Sequence, residues 1–199
     1  TTNDITVWGK LTIKEVVNAS ISNFDDDTPG AGLPARFQPW ITTTAANGYV
    51  LYELEFFEVI TNQRVYVSDY YLTGIDVDGN EIIEIGGYSS YEVDNACQLT
   101  ITHNSSTGRT KFKGISSSIN DITFENTAAF VARYNFPYTK VEFAFGNTGA
   151  IANRQFSTQF GTVGGVFTSP LSTYNPKRLL DITKTANTNE FKAGTNNKY

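Results

Sequence analysis

The chain has 199 residues and a mass of 22.0 kDa, with 40% hydrophobic, 14% aromatic and only 18% charged residues, enough apolar material to close one core without disulfides or metals. Its formal net charge of −5 and its 15 Lys and Arg, scattered with no basic run, exclude a protein that works by neutralising many phosphates, so nucleic acid is not an expected partner. With 26 Thr, 18 Asn and a lone cysteine, the composition favours strands and turns over helices, because β-branched and aromatic side chains fit a pleated surface.

Residues 5–17 alternate at period two, Ile5, Val7, Leu11 and Ile13 against Thr6, Lys10, Thr12 and Lys14, and predict a long first strand. The stretch from Ser22 to Gly32, with Asp25-Asp26-Asp27-Thr28-Pro29-Gly30 inside it, is too acidic and too rich in turn formers for a sheet and reads as a loop. Residues 36–44 can form a second strand. Asn47-Gly48 is a turn signal leading into 49–60, where Val50, Tyr52, Leu54 and Phe56 share one face. Residues 65–72 follow after Thr61-Asn62-Gln63, and the two runs predict a hairpin.

Further strands are expected at 81–85, 91–93, 98–103 and 109–113, the last two joined through Asn104 to Gly108 as a second hairpin. Residues 128–134, 139–145 (Val141, Phe143 and Phe145 inward, Lys140 and Glu142 outward) and 154–160 complete the set. Roughly ten short strands with turns about every ten residues predict an all-β protein, a β-sandwich or jelly roll of antiparallel strands. Residues 176–181 have a weak helical look, with Pro176 at a first helical position. The expected organisation is one domain over 1–176 and a C-terminal extension over 177–199.

The most specific local signal is Gly74-Ile75-Asp76-Val77-Asp78-Gly79-Asn80-Glu81. Calcium takes six to eight oxygen ligands, and alternate carboxylates in a glycine-containing turn converge some of them on one point. An EF-hand is excluded, since Ser89 and Ser90 stand where its bidentate Glu belongs and the flanks are strands. The candidate structural calcium ligands are therefore Asp76, Asp78 and Asn80, with Asp25 and Asp27 from the other acidic turn; the alternative is that these residues only shape turns. Catalysis has less to build on. His103, the only histidine, lies beside a turn and reads as a solvated surface residue, and Cys97 reads as a buried, inert thiol. Glu53, Glu55, Glu58 and Glu142 alternate as the wet face of a sheet does, rather than as an acid/base pair. Most aromatics are assigned to the core, with sugar stacking by exposed rings as the competing use.

Arg36-Phe37-Gln38-Pro39, the segment 67–81, Tyr91-Glu92-Val93-Asp94, the segment 122–130 and Asn153-Arg154-Gln155-Phe156-Ser157 occur in an ordered series. Over about residues 36–176 this series resembles a β-rich, adhesin-like domain repeated in large secreted and surface proteins of Bacteroidetes and other aquatic bacteria. The resemblance implies an extracellular, cell-surface or matrix role without an assigned catalytic residue, and makes calcium at Asp76 and Asp78 a feature of the family. The absence of Met and the Thr1-Thr2-Asn3-Asp4 opening agree with a secreted, mature chain. No apolar stretch reaches the ~18 residues of a membrane span, so membrane insertion is not expected. The function expected is that of a non-enzymatic structural or adhesive protein that assembles into a filament by strand or tail exchange, with Ile5, Val7, Leu11 and Ile13 as assembly residues. The alternative is a calcium-dependent carbohydrate-binding module with an extracellular polysaccharide as partner.

Overall fold

The computed structural model describes residues 5–26, 36–119, 122–149, 152–161 and 167–175. The described chain is all β. Its strands are β1 (Val7–Val17), β2 (Ala19–Asn23), β3 (Trp40–Thr43), β4 (Gly48–Glu58), β5 (Tyr70–Ile75), β6 (Glu81–Gly86), β7 (Ser90–Asp94), β8 (Thr100–Asn104), β9 (Arg109–Lys113), β10 (Phe130–Tyr134), β11 (Lys140–Asn147), β12 (Ala152–Gln155), β13 (Ser157–Gly161) and β14 (Pro170–Tyr174), with one 3-10 turn at Asn126–Ala128. No helix among the described residues is long and apolar enough to cross a membrane.

Every ladder is antiparallel. A six-stranded sheet in the order β1-β4-β11-β6-β9-β8 faces a five-stranded sheet in the order β13-β5-β10-β7-β14. A three-stranded sheet, β12-β3-β2, joins them at one end. It does so because two long runs change sheets: β1 gives way to β2 at Asn18, held at φ +47°, and β12 gives way to β13 at the buried Phe156.

The alternation read in the sequence places the core. Val50, Tyr52, Leu54 and Phe56 of β4, with Val141, Phe143 and Phe145 of β11, turn inward against Tyr70 and Leu72 of β5 and Phe130 and Tyr134 of β10. Aromatics fill the space that Leu and Met fill elsewhere: Phe112 stacks on Phe130 with ring centroids 3.7 Å apart, and Tyr70 on Tyr134 at 4.8 Å. Gly74 stands where any side chain would strike the Phe130 ring. On the opposite face of the five-stranded sheet, Ala129 and Val131 form a small second cluster with Phe167, Phe124 and Tyr71.

The structure corrects the sequence in three places. Residues 49–60 and 65–72 pair only at their tips, where Glu58 N–H donates to Gln63 O and Val65 N–H to Phe56 O around the Phe57–Arg64 bridge; the rest of β4 is taken by β1 and β11, and the chain crosses to the facing sheet. Residues 154–160 form parts of two strands in different sheets, and β2 and β14 lie where no strand was expected. The expected helix at 176–181, the extension 177–199 and Asp27 lie outside the described residues.

Candidate functional site

The acidic turn after β5 is packed from three sides. Its backbone is unusual: Asp76, Gly79 and Asn80 all have positive φ (58°, 51° and 67°), a conformation that glycine and Asp or Asn tolerate best. The loop after β9 wraps the turn, since Gly79 N–H donates to Ser117 O (3.0 Å) and Asn80 N–H to Ile115 O (2.8 Å). Asn147, at the end of β11, donates its side-chain amide to Gly79 O at 3.0 Å.

Arg154 of β12 lies across the turn. Its Nε donates to Glu81 Oε1 at 2.7 Å, its Nη1 to Ser118 Oγ at 3.0 Å, and its Nη2 to Asp78 Oδ1. A side chain at Gly79 would meet the guanidinium at 2.5 Å, so glycine is required there by space as well as by φ. Asp78 takes the Ile119 amide on its other oxygen. Burial pushes Glu81 well above the ordinary carboxylate range, against the pull of Arg154. Asp76 is pushed up to about 7, first by burial and then by Asp78, with Arg154 opposing. Its Oδ1 is buried without a hydrogen-bond partner, as are Ser157 Oγ and Arg36 Nε. The result is a buried polar hub in which one guanidinium ties two carboxylates to a third sheet.

Among the described residues, this donor set falls short of the six to eight oxygens that calcium takes. Both oxygens of Asp78 are engaged, and the positive charge on the turn comes from Arg154. Among the described residues no group of three or more His, Cys, Asp or Glu side chains is placed to hold a metal ion. Asp25 accepts the Gln38 amide at 2.8 Å and Asp26 the Trp40 indole N–H at 2.8 Å, so these acids fasten the first acidic loop to the start of β3. Sequence reasoning missed Arg154 as the counterpart of Asp78 and Glu81: it lies more than 70 residues along the chain from them, and no local spacing announces it.

The outer face of the six-stranded sheet carries the alternating glutamates. Glu53 receives Lys14 at 3.2 Å and Lys140 at 2.5 Å, and the hydrogen bond from Lys140 leads in holding it below its ordinary range. Glu55 pairs with Arg64 and Lys10, and Glu142 with Arg109. These ion pairs tie β4 to its neighbours and reach across β6 from Arg109 to Glu142, but Glu53 and Glu55 depart from the wet face expected of them, each being only 6% exposed beneath its cations. Near them, Tyr49, Glu84, Arg109 and Lys111 surround a recess of about 330 Å³ floored by Ala144 and Gly146. His103 departs from its solvated reading: its Nδ1 meets Thr110 Oγ1 at 2.9 Å in a chain continuing to Tyr88 OH, and its Nε2 is buried. Cys97 is half-buried against the core.

The assembly candidates all belong to one sheet edge. β1 pairs with its own β4 along Val7 to Val17, with a register shift between Ile13 and Glu15. Leu11 packs against the core opposite Leu54. Ile5, Val7 and Ile13 are 51, 37 and 41% exposed, and Trp8, stacked on Phe57, is 39% exposed. No protein-family model, curated protein or solved structure matches the chain.

Proposed function

We propose that the protein is a secreted, non-enzymatic structural or adhesive component of a cell surface or extracellular matrix, resembling the adhesin-like domains named above, and that it assembles with copies of itself. The observation that carries this reading is the free edge of β1. It is eleven residues long, its outer main-chain groups face no neighbouring strand among the described residues, and apolar side chains lie exposed along it. Such an edge is a template for pairing with another chain unless it is covered.

The test is the particle size of the purified protein by light scattering and electron microscopy over a concentration series. The wild type is expected to form elongated particles, and Val7→Lys with Ile13→Lys to remain monomeric while keeping a cooperative melt. Point changes suit this better than removal of residues 1–17, because losing β1 would uncover β4. A wild type that stays monomeric at high concentration would sink the reading.

A second reading, carbohydrate binding, is favoured by the recess under Tyr49, where a ring, two cations and a carboxylate border a floor of small residues. Such a mixture suits sugar hydroxyls and ring faces. A glycan array with and without chelator tests it. Retention of polysaccharide that Tyr49→Ala abolishes would support it, with loss on chelation bringing calcium into that reading.

A further inference from the structure

β1 and β13 are the edges of facing sheets on the same side of the sandwich, and among the described residues no ladder joins them. They lie close to the joining sheet at Val17 and Ser157, and between their other halves opens an apolar groove of about 380 Å³. Val7, Trp8, Leu54, Phe56, Tyr70 and Phe160 line it. Gly9 explains why it is open: it takes the inward register position opposite Phe56, and carries no side chain to cover Leu54 and Phe56. Tyr70 contributes a hydroxyl that is buried without a partner. A groove flanked by the β1 edge, which pairs with no second strand among the described residues, and by the part of β13 beyond its Phe37–Thr158 bridge, with an unmet hydroxyl beside it, has features that an added strand satisfies.

The charge of the chain is divided in a way that names an occupant. Residues 1–176 hold 10 Lys and Arg against 18 Asp and Glu, a net −8, whereas residues 177–199 hold 5 against 2, a net +3. The extension opens Lys177-Arg178-Leu179-Leu180-Asp181-Ile182-Thr183-Lys184, an apolar stretch between cations. Glu58, opposite Val7 in the ladder, and Asp69, next to Tyr70, stand beside the groove.

The sheet registers set the start of the extension apart from the groove. Gly161, Tyr71, Arg133, Ser90 and Tyr174 lie in one row across the five-stranded sheet. Four strand spacings therefore separate β14 from the groove edge, about 19 Å. From Asn175 to Leu180 a fully extended chain spans at most about 18 Å, before it has rounded either edge. The strand that the extension follows is therefore the edge opposite the groove.

We propose that residues 177–184 of one copy dock in the groove between β1 and β13 of a second copy. This rests on the self-assembly reading and gives it a direction. Donor and acceptor lie on opposite edges of the sandwich, so the contact is heterologous and continues into a filament instead of closing as a dimer.

The experiment uses the full chain with Cys97→Ser, Val67→Cys beside the groove and Ile182→Cys in the extension, oxidised and resolved under denaturing conditions. A ladder of covalent oligomers is expected, reduced at least tenfold by Leu180→Asp and by high salt. A cross-linked monomer would overturn the proposal in favour of docking within one molecule, and no cross-link, or a ladder indifferent to Leu180→Asp, would overturn it outright. Light scattering of the wild type separates this from the parent reading. Particles without a ladder refute the groove as acceptor and leave self-assembly standing, whereas a monomeric wild type refutes both.

Discussion

The two ends of the sandwich invert the usual distribution of side chains. At the end where the third sheet joins the other two, carboxylates and a guanidinium are buried together; at the other, between β1 and β13, apolar side chains lie open. Both departures have a topological cause. Closing the first end brings the Asp76–Glu81 turn, the loop after β9 and β12 against one another, and their polar groups have only each other as partners. Among the described residues the second end stays open because the edge strands β1 and β13 face each other there and no ladder joins them. Where sheets meet, polarity is enclosed and must be matched. Where they part, apolar surface is left for something else to cover.

The sharpest way to break this comparison is Arg154→Ala. It strands Asp78 and Glu81 in the interior and is expected to cost about 3–5 kcal/mol, a fall in melting temperature on the order of 10 °C for a chain of this size. Arg154→Lys should recover part of that loss, because an ammonium restores the charge but not the fork that reaches both acids. A chelator added to the wild type should leave its melt unmoved. If it lowered the melt as far as the substitution does, the turn would be a metal site.

Asp76→Asn probes the same end with a smaller effect. Its carboxyl titrates at about 7 in the folded protein, raised from 3.8, so the folded state holds the proton more tightly than the unfolded one. Its contribution is complete below about pH 4 and is lost as pH rises to about 7. The wild type should therefore lose stability across that window. The variant should show a flatter profile and melt about 2–4 °C higher at pH 8, a difference worth about 1 kcal/mol. An unchanged pH profile would show that Asp76 titrates normally.

At the open end, Trp8→Lys is expected to cost only about 0.5–1.5 kcal/mol, the value of its stack on Phe57, measured by urea denaturation. A loss above about 3 kcal/mol would show that Trp8 belongs to the core. Smallest of all is Glu53→Gln on the outer sheet face. Glu53 is itself buried, but Gln keeps an acceptor there and the charges left unpaired are two half-exposed lysines, so about 0–1 kcal/mol is expected. That contribution is present above pH 4.5 and fades as pH falls through the lower value of the folded state.

Much of the fold was legible because period two is a local property. Tyr52, Leu54 and Phe56 pointed inward, and Lys140 and Glu142 outward, as their alternation demanded. The second hairpin followed from its turn, and β8 and β9 pair as expected. The first hairpin failed for an equally physical reason: a run of apolar residues specifies a strand, but which strand lies beside it depends on the rest of the chain. The acidic turn was likewise visible as a turn, with Asp76, Gly79 and Asn80 in left-handed conformations. Its counter-charge was not, since a guanidinium from a distant strand and a bound cation leave the same local signature of clustered carboxylates.

By itself, then, the sequence determined the strand class, the inward faces and the places where the chain bends, because backbone sterics and side-chain alternation act within a few residues. Tertiary structure decided that Arg154 balances the acidic turn, that His103 is drawn into a hydrogen-bonded chain, and that β1 lies on its own sheet with one side unpaired among the described residues. Each of these depends on contacts between residues far apart in sequence, whose meeting is set by how two large sheets and a small third one close around a single core.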